Sequence, residues 1–599
     1  MTIIEKIISS HSVVNEVKPG DIVDVEIDAR VARDFGGANV VKNIETYDLS
    51  IDDPGKTMFT FDCNPTGSDQ KYAVNQQLCR VFARGEGLKV YDINSGIGTH
   101  LLVDEGYVFP GGTAVSTDSH ANILGAVGAF GQGMGDKDIA AAWSKGKVWF
   151  KVPPSVKLKV VGELPGGVYA KDFVLNLLNE FGANTLLGYS VEIYGDCIDR
   201  MSLDDRITIS SMATEMGAII LFFPPNEEVI NYCKERAGKD FEAVYADDDA
   251  AYDKEIELDA STFVPRVSRP GKPHDTVPVA GERGVKIDSA FIGSCTNGRI
   301  SDMRVAAGIL KGKKVAPGVI LKIVPSTDEV WRQCLEEGII DIFKEAGALV
   351  SNPGCAGCAA GQVGQNGPGE VTVSTGNRNF PGKQGKGSVY LASPAIVAAS
   401  ALAGYVTDEE NIPAEPAVFE KGTRKRKPDA AGAQKTAKKP AVLKGRCWVI
   451  ERDNIDTDMI FHNRYLSITD INEMGKFTFD NLDGYEDFSE KAREGDIIVT
   501  GKNFGSGSSR QQAVDCFVSL GVQAVVAESF GAIYERNAVN AAFPVLTYDD
   551  LDAVALKDGD RVEIDLRKGL IKNTENGKSA AINPFSEVQM EIYNNGGLF

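Results

Sequence analysis

Short apolar runs alternate with polar stretches through most of the chain. VKLKVVGEL, VKIDSAFIG and VILKIVPS have the length and β-branched content of buried strands, and each leads into a helical pattern or a Gly-rich turn. Repeated strand–turn–helix units over residues 1–419 predict an α/β fold with mostly parallel sheets. Such sheets place ligands at the C-terminal ends of their strands. The opening stretch, MTIIEKIISSHSVV, has the spacing of a short amphipathic helix. The pattern lapses at residues 420–443, EKGTRKRKPDAAGAQKTAKKPAVL, a basic Ala/Lys/Pro-rich stretch expected to be a flexible linker. It resumes over residues 444–599. There RCWVIERD, DIIVTG, AVVAES and FPVLTY read as strands, and SRQQAVDCFVSLG reads as a helix.

At 599 residues the chain is too long for one core. Its 43% hydrophobic and 25% charged content is that of a globular protein, and no run reaches the roughly 18 apolar residues of a membrane span. The start lacks the basic and long apolar segments of a signal peptide, so a cytoplasmic protein is expected, a monomer or small homo-oligomer. The formal charge of −21 argues against nucleic-acid binding, since the one basic cluster is the linker. A polyanionic substrate then requires a local positive pocket.

Ten cysteines in a long chain of this kind do not form a disulfide framework, and only Cys355 and Cys358 lie close in sequence. They belong to N-P-G-C-A-G-C (Asn352–Cys358). A third cysteine, Cys295, sits in G-S-C-T-N-G-R (Gly293–Arg299) at the end of a predicted strand, where Gly293 permits a tight turn. C-x-x-C lets two thiolates reach neighbouring metals of one cluster, with Cys295 arriving from another strand end. Clusters generally take four cysteines, so three would leave one iron open, which suits a Lewis acid. A zinc site lacking one ligand, a dithiol redox pair and inert buried cysteines are the competing readings.

T-D-S-H (Thr117–His120) follows the predicted strand TAVS, and carboxylate–imidazole pairs built on it would fix a tautomer. G-S-G-S-S-R (Gly505–Arg510) lies between a strand and a helix, where glycines let amides approach an anion. A plain anion loop with Ser508 as an N-cap is the alternative there. N-R-N-F-P-G-K (Asn377–Lys383) supplies Arg378, a bidentate fork for carboxylates, and Lys383. The stretch Gly376–Lys383 has one residue too many for a P-loop, which excludes ATP binding on that motif.

Together these motifs resemble the aconitase superfamily. IGSCTNGR, STGNRNFPGK and YLASPA are most similar to isopropylmalate dehydratase and homoaconitase large subunits. The resemblance covers nearly the whole chain. It implies a three-lobed, cluster-binding large-subunit region over 1–419, fused through the linker to a swivelling small-subunit-like domain at 444–599. It further implies a [4Fe–4S] cluster on Cys295, Cys355 and Cys358, and a hydroxy-polycarboxylate substrate. Asp118 is implied to pair with His100, and His120 with Glu215 in the helix ISSMATEMGA. Ser508 resembles the base that takes the substrate's proton, reachable only if amides and Arg510 stabilise its alkoxide. Asp62, with His100 and Asp118, is the expected acid. Arg378, Lys383, Asn377, Ser509, Arg510 and Arg464, the last in the loop Ile455–Leu466, are the expected substrate contacts.

The chain departs from the family pattern on the substrate side. Cys63 follows Asp62 where a histidine is usual, and Ser211 stands where asparagine is common. Lys383 replaces a guanidinium, and Ser467 follows Tyr465-Leu466 where homoaconitase-type loops carry arginine. Retained cluster chemistry on a non-standard acid is the expectation. An RNA-binding regulator of the cluster-free type and an inactive carboxylate-binding homologue are the alternatives.

Overall fold

The structure is a computed structural model that describes residues 1–64, 70–357, 363–417 and 439–598. It divides into two compact units, Met1–Lys421 and Gly422–Phe599. Cys358 and most of the expected linker lie outside the described residues.

The first unit is built on three larger sheets and a two-stranded antiparallel one, Ile22–Glu26 with Lys147–Lys151. In the first, five parallel strands run in the order Lys89–Tyr91, Thr57–Thr60, Ala29–Arg33, Thr113–Ser116, Phe130–Gly133. Alternate side chains enter opposite cores: Ala32, Phe59 and Val115 face one cluster, while Val31, Met58 and Ala114 face another. The opening helix, Ile3–Ser10, is amphipathic as expected and buries Ile3, Ile4, Ile7 and Ile8 in the first of these cores.

The second sheet has four parallel strands, in the order Ile220–Phe222, Ser190–Tyr194, Ser155–Val161, Lys254–Asp259. The third centres on Ser289–Ile292. On one side lie Ile320–Ile323 and Leu349–Val350, on the other Val371–Ser374 and Ser388–Leu391, all parallel. An antiparallel pair, Arg266–Ser268 and Thr276–Pro278, closes that edge.

In the first and third sheets the chain leaves the central strand in both directions, which opens a crevice at its C-terminal end. In the first sheet that crevice lies between Ala29–Arg33 and Thr113–Ser116. In the third it lies between Ser289–Ile292 and Val371–Ser374. Arg33 is the last residue of its strand, and Asp118, Cys295 and Asn377 lie just beyond the ends of the others.

The second unit carries one seven-stranded sheet. Val545–Thr547, Ala524–Ala527, Ile497–Thr500 and Val442–Ile450 are parallel, and Arg561–Asp565, Leu570–Asn573 and Ser579–Ala581 continue antiparallel. Strand periodicity again sorts the core: Ile498 and Val525 face one cluster, and Ile497, Val499 and Val526 the other.

Three elements differ from the sequence reading. The stretch WRQCLEEGIIDIFKEAG before the C-x-x-C loop, whose pattern predicts one helix, forms two, Asp328–Glu336 and Ile339–Ala346, because Gly338 adopts φ +71° between them. The helix expected to carry Glu215 ends at Ser211, and Glu215 sits in a separate 3₁₀ turn, Thr214–Met216, stopped by Gly217 at φ +78°. At the far end of the expected linker, Val442 already opens a strand, and Pro440 accepts a hydrogen bond from the Tyr593 hydroxyl at 3.1 Å. Residues 439–443 therefore pack with the second unit.

Among the described residues no helix is long and apolar enough to cross a membrane.

Candidate active site

The Cys295 loop is where the three larger sheets of the first unit meet. Gly293 leaves the central strand at φ +152°, and a Cβ there would sit 2.6 Å from the Val324 carbonyl oxygen. Only glycine passes that point. Ser294 follows at φ +78°, and Cys295 turns inward, fully buried. From the first sheet's side, His100 Nε2 lies 3.0 Å from the Cys295 carbonyl oxygen. From the second, Thr208 Oγ1 donates to the Thr296 carbonyl at 2.8 Å. From the third, Asn377 Oδ1 lies 3.4 Å from Cys295 Sγ. Arg299, at the end of the motif, is a buried anchor with Nη1 2.7 Å from Asp104 and Nε 2.8 Å from Asp204.

The second cysteine loop closes on the same place. The Cys355 backbone N–H donates to the Asp62 carbonyl at 2.8 Å, and the Cys355 side chain is buried. Burial pushes the Cys295 thiol up; His120 opposes that, while Asp118 and Cys355 add to it.

Around these thiols lies a network of buried charges. His120 Nε2 is 3.1 Å from Glu215 Oε1, as the resemblance implied, and Arg378 Nε donates to the same oxygen at 2.7 Å. Burial works against the imidazolium, but Cys295 and Glu215 raise the His120 pKa well above its usual value. Burial likewise opposes the Glu215 carboxylate, and His120 and Arg378 win, holding its pKa low.

The implied pairing of Asp118 with His100 does not form. Asp118 Oδ1 instead lies 3.1 Å from Arg33 Nη1 and accepts the His120 backbone N–H at 3.0 Å. Burial would raise Asp118, but Arg33 and His120 keep it well below the carboxylate range. His100 faces the Cys295 carbonyl, and burial together with Arg299 lowers its pKa to about 4. It is neutral at physiological pH.

Asp62 accepts from Arg33 Nε at 2.6 Å and from the Gly98 N–H at 2.8 Å. Burial lifts its pKa to about 6 despite Arg33. Cys63 lies beside it, Sγ 3.5 Å from Asp62 Oδ1, and burial keeps the thiol protonated. Asp34, Asp62 and Cys63 bring three possible ligand atoms within 4.8 Å of one another.

Arg33 and Lys171 were not expected at this site. Arg33 had a visible signal, a charged residue ending the apolar run ARVAR where a parallel strand presents its C-terminal edge. Lys171 had none. Its fully buried ammonium donates to the carbonyls of Thr375 (3.0 Å) and Gly376 (2.9 Å), which fixes the backbone just before Asn377 and Arg378. Burial lowers its pKa to about 8. Ser211 is buried and donates to the Thr208 carbonyl at 2.8 Å, so it supports the helix rather than a ligand. Lys383 is half-buried with no ion pair among the described residues. A cleft of about 400 Å³, lined by Thr117, Ser119, Asn122, Met134 and Thr214, borders the turns that carry Asp118 and Glu215.

Several buried polar atoms at this place lack a protein partner among the described residues: Arg33 Nη2, His100 Nδ1, Asp118 Oδ2, Glu215 Oε2 and Asn377 Nδ2. Buried polar groups are normally satisfied, so their concentration around Cys295 and Cys355 marks a ligand site. The buried thiols, with cationic and neutral donors and the carboxylates of Asp118 and Glu215 around them, fit an iron–sulfur cluster.

In the second unit, Ser508 and Ser509 are exposed on the loop between Ile497–Thr500 and the helix Gln512–Leu520. The helix cap is Gln511, which removes the N-cap reading of Ser508. The Ser508 backbone N–H donates to Thr457 Oγ1 at 3.1 Å. Gly505 serves packing rather than anion approach: it has φ +72°, and a Cβ would lie 2.2 Å from the Tyr534 ring. Arg510 is buried, with Nη1 2.7 Å from Asp458 and 3.1 Å from the Phe461 carbonyl. Those groups tie down its terminal nitrogens. Arg464 is half-exposed over the Tyr465 ring, 3.7 Å from Asp480.

The chain is similar to known proteins over most of its length. The aconitase family (aconitate hydratase) matches residues 5–284 and 280–404, and the aconitase C-terminal domain matches 419–550. The 3-isopropylmalate dehydratase large subunit 1 of Methanopyrus kandleri is 40% identical over 411 residues, 68% of this chain and 98% of that protein. The mitochondrial homoaconitase of Eremothecium gossypii is 33% identical over 584 residues, 90% of this chain and 85% of that protein. A solved 3-isopropylmalate dehydratase (leuD) of Methanocaldococcus jannaschii is 39% identical, covering 26% of this chain and 90% of its own, with a TM-score of 0.25. On the matched motifs and on the length they span, this chain belongs to the aconitase family of hydro-lyases.

Proposed function

We propose that this protein is a [4Fe–4S]-dependent dehydratase that removes and re-adds water on a hydroxy acid bearing two or three carboxylates, of the 3-isopropylmalate or homoaconitate type. The observation that carries the reading is the ring of unpartnered buried polar atoms around Cys295 and Cys355. The names of the relatives support the substrate class.

Cys295, Cys355 and Cys358 would hold the cluster, which supplies a Lewis acid where an iron lacks a cysteine. The chain's own groups do the rest. Ser508 takes the proton from the carbon beside the hydroxyl, with amides and Arg510 offsetting the charge on its oxygen. Asp62, in the constellation with His100 and Asp118, delivers a proton to the departing oxygen. Arg378, Lys383, Asn377, Ser509, Arg510 and Arg464 bind the carboxylates. Return of water at the neighbouring carbon makes the net reaction an isomerisation.

The test is anaerobic reconstitution with iron and sulfide, followed by a screen of malate, citrate, homocitrate and isopropylmalate derivatives. The expected result is broad visible absorbance and turnover of one of them, with absorbance lost in Cys295→Ser and Cys355→Ser and retained in Cys334→Ser, a core cysteine of the third sheet. One bound zinc and no cluster absorbance would overturn the reading.

A further inference from the structure

Arg33 ends the central strand of the first sheet, and Asp62 and Asp118 lie two residues past the ends of its neighbours on either side, Thr57–Thr60 and Thr113–Ser116. The side chain is 9% exposed. Its Nε holds Asp62 at 2.6 Å, and its Nη1 holds Asp118 at 3.1 Å. Two carboxylates from two strands therefore fix the plane of the guanidinium. The third nitrogen, Nη2, is buried and has no hydrogen-bond partner among the described residues. The adjacent acid, Asp34, does not supply one, because its oxygens accept from the Cys63 and Asn64 N–H groups and from Gln76 Nε2.

We infer that Arg33 is a substrate-binding residue, its Nη2 receiving one carboxylate oxygen of the hydroxy acid. This rests on the hydro-lyase reading and adds a specificity residue to it. A strut between two aspartates needs only a cation, and lysine would serve. A planar fork held at two corners and open at the third is suited to a further planar acceptor. The place also matters, since parallel sheets bind ligands beyond the C-terminal end of the strand where the order reverses. Cys63 next to Asp62 offers no charge to an anion, so the cation on this side of the site is Arg33.

The test is calorimetric titration of the anaerobically reconstituted enzyme with tricarballylate, an unreactive tricarboxylate, and with glutarate, which has one carboxylate fewer. Arg33→Lys keeps a cation between the aspartates and removes the fork; Arg33→Gln removes the charge. The expected result is cluster absorbance retained in Arg33→Lys and tricarballylate affinity down by about tenfold or more in both variants. Glutarate affinity falls less, so that discrimination between the two probes shrinks. In turnover of Arg33→Lys, which leaves a cation beside Asp62, KM rises by a larger factor than kcat falls.

Unchanged tricarballylate affinity in a cluster-bearing variant would overturn the inference. So would loss of cluster absorbance in both variants, which makes Arg33 a strut. Wild-type protein that takes up neither cluster nor tricarballylate would overturn the hydro-lyase reading, and this inference with it.

Discussion

His120 Nε2 lies 3.1 Å from Glu215 Oε1, and that single carboxylate also holds Arg378 at 2.7 Å. One buried acid thus orients two cations, one beside the Cys295 thiol and one in the N-R-N-F loop. Glu215→Gln preserves the shape and removes the charge. Breaking a buried pair in this way costs about 3–5 kcal/mol, and here two cations lose their partner. Calorimetry should show a lower melting temperature for the first unit, and turnover should fall more than about tenfold. A variant that melts and turns over like wild type would mean that Glu215 orients neither cation.

Ser508 tests the opposite situation. Its side chain is exposed, and its anchoring hydrogen bond is made by the backbone N–H to Thr457. Ser508→Ala should leave stability within about 0.5 kcal/mol while lowering kcat by roughly a hundredfold or more. Full turnover in this variant would remove Ser508 as the base.

The sequence made the Cys295 turn legible because its signals are local: an apolar run, a glycine that must turn, then the thiol. The His120–Glu215 pair came through the resemblance and held. The Asp118 partner did not, because that choice depends on which strands are neighbours. Arg33 and Asp118 lie at the C-terminal ends of adjacent strands, the second two residues past Ser116, 85 residues apart in sequence, and no local pattern encodes the adjacency. Lys171 was invisible for a related reason, since its partners are backbone carbonyls roughly 200 residues away in sequence. The helix break at Gly338 was readable in hindsight. Apolar spacing continues across it, but a glycine preceding Ile-Ile could have stopped the first helix.

Asp172 gives a pH prediction away from the thiols. It caps the helix Ala170–Phe181, accepting from the Tyr169 N–H at 3.2 Å and the Arg266 N–H at 3.1 Å. Burial lifts its pKa from 3.8 to about 7 despite those donors. A carboxyl raised on folding stabilises the folded state below its unfolded pKa, and that stability is lost as pH rises through the folded value. Asp172→Asn lacks this slope and also loses one acceptor. Its deficit against wild type should therefore be largest near pH 4 and shrink by pH 7, read from melting temperatures of the first unit. A deficit that grows over that range would contradict the raised pKa.

The two glycines flanking Ser506 should differ sharply on substitution. Both have positive φ, +72° at Gly505 and +97° at Gly507, so alanine is strained at either, by about 1 kcal/mol. Their surroundings are unlike. A Cβ on Gly505 would sit 2.2 Å from the Tyr534 ring, which is itself fully buried among Phe504, Phe517 and Phe530. A Cβ on Gly507 would meet Thr457 Oγ1 at 3.5 Å and Asp456 Cβ at 3.8 Å, both ordinary contacts. Gly505→Ala must therefore displace a core ring and adds an overpacking cost of about 1–3 kcal/mol to the backbone strain. Gly507→Ala should melt close to wild type, and any loss of turnover in it comes from moving Ser508 rather than from unfolding. Equal destabilisation of the two variants would show that backbone strain, not the Tyr534 contact, sets the requirement for glycine in this loop.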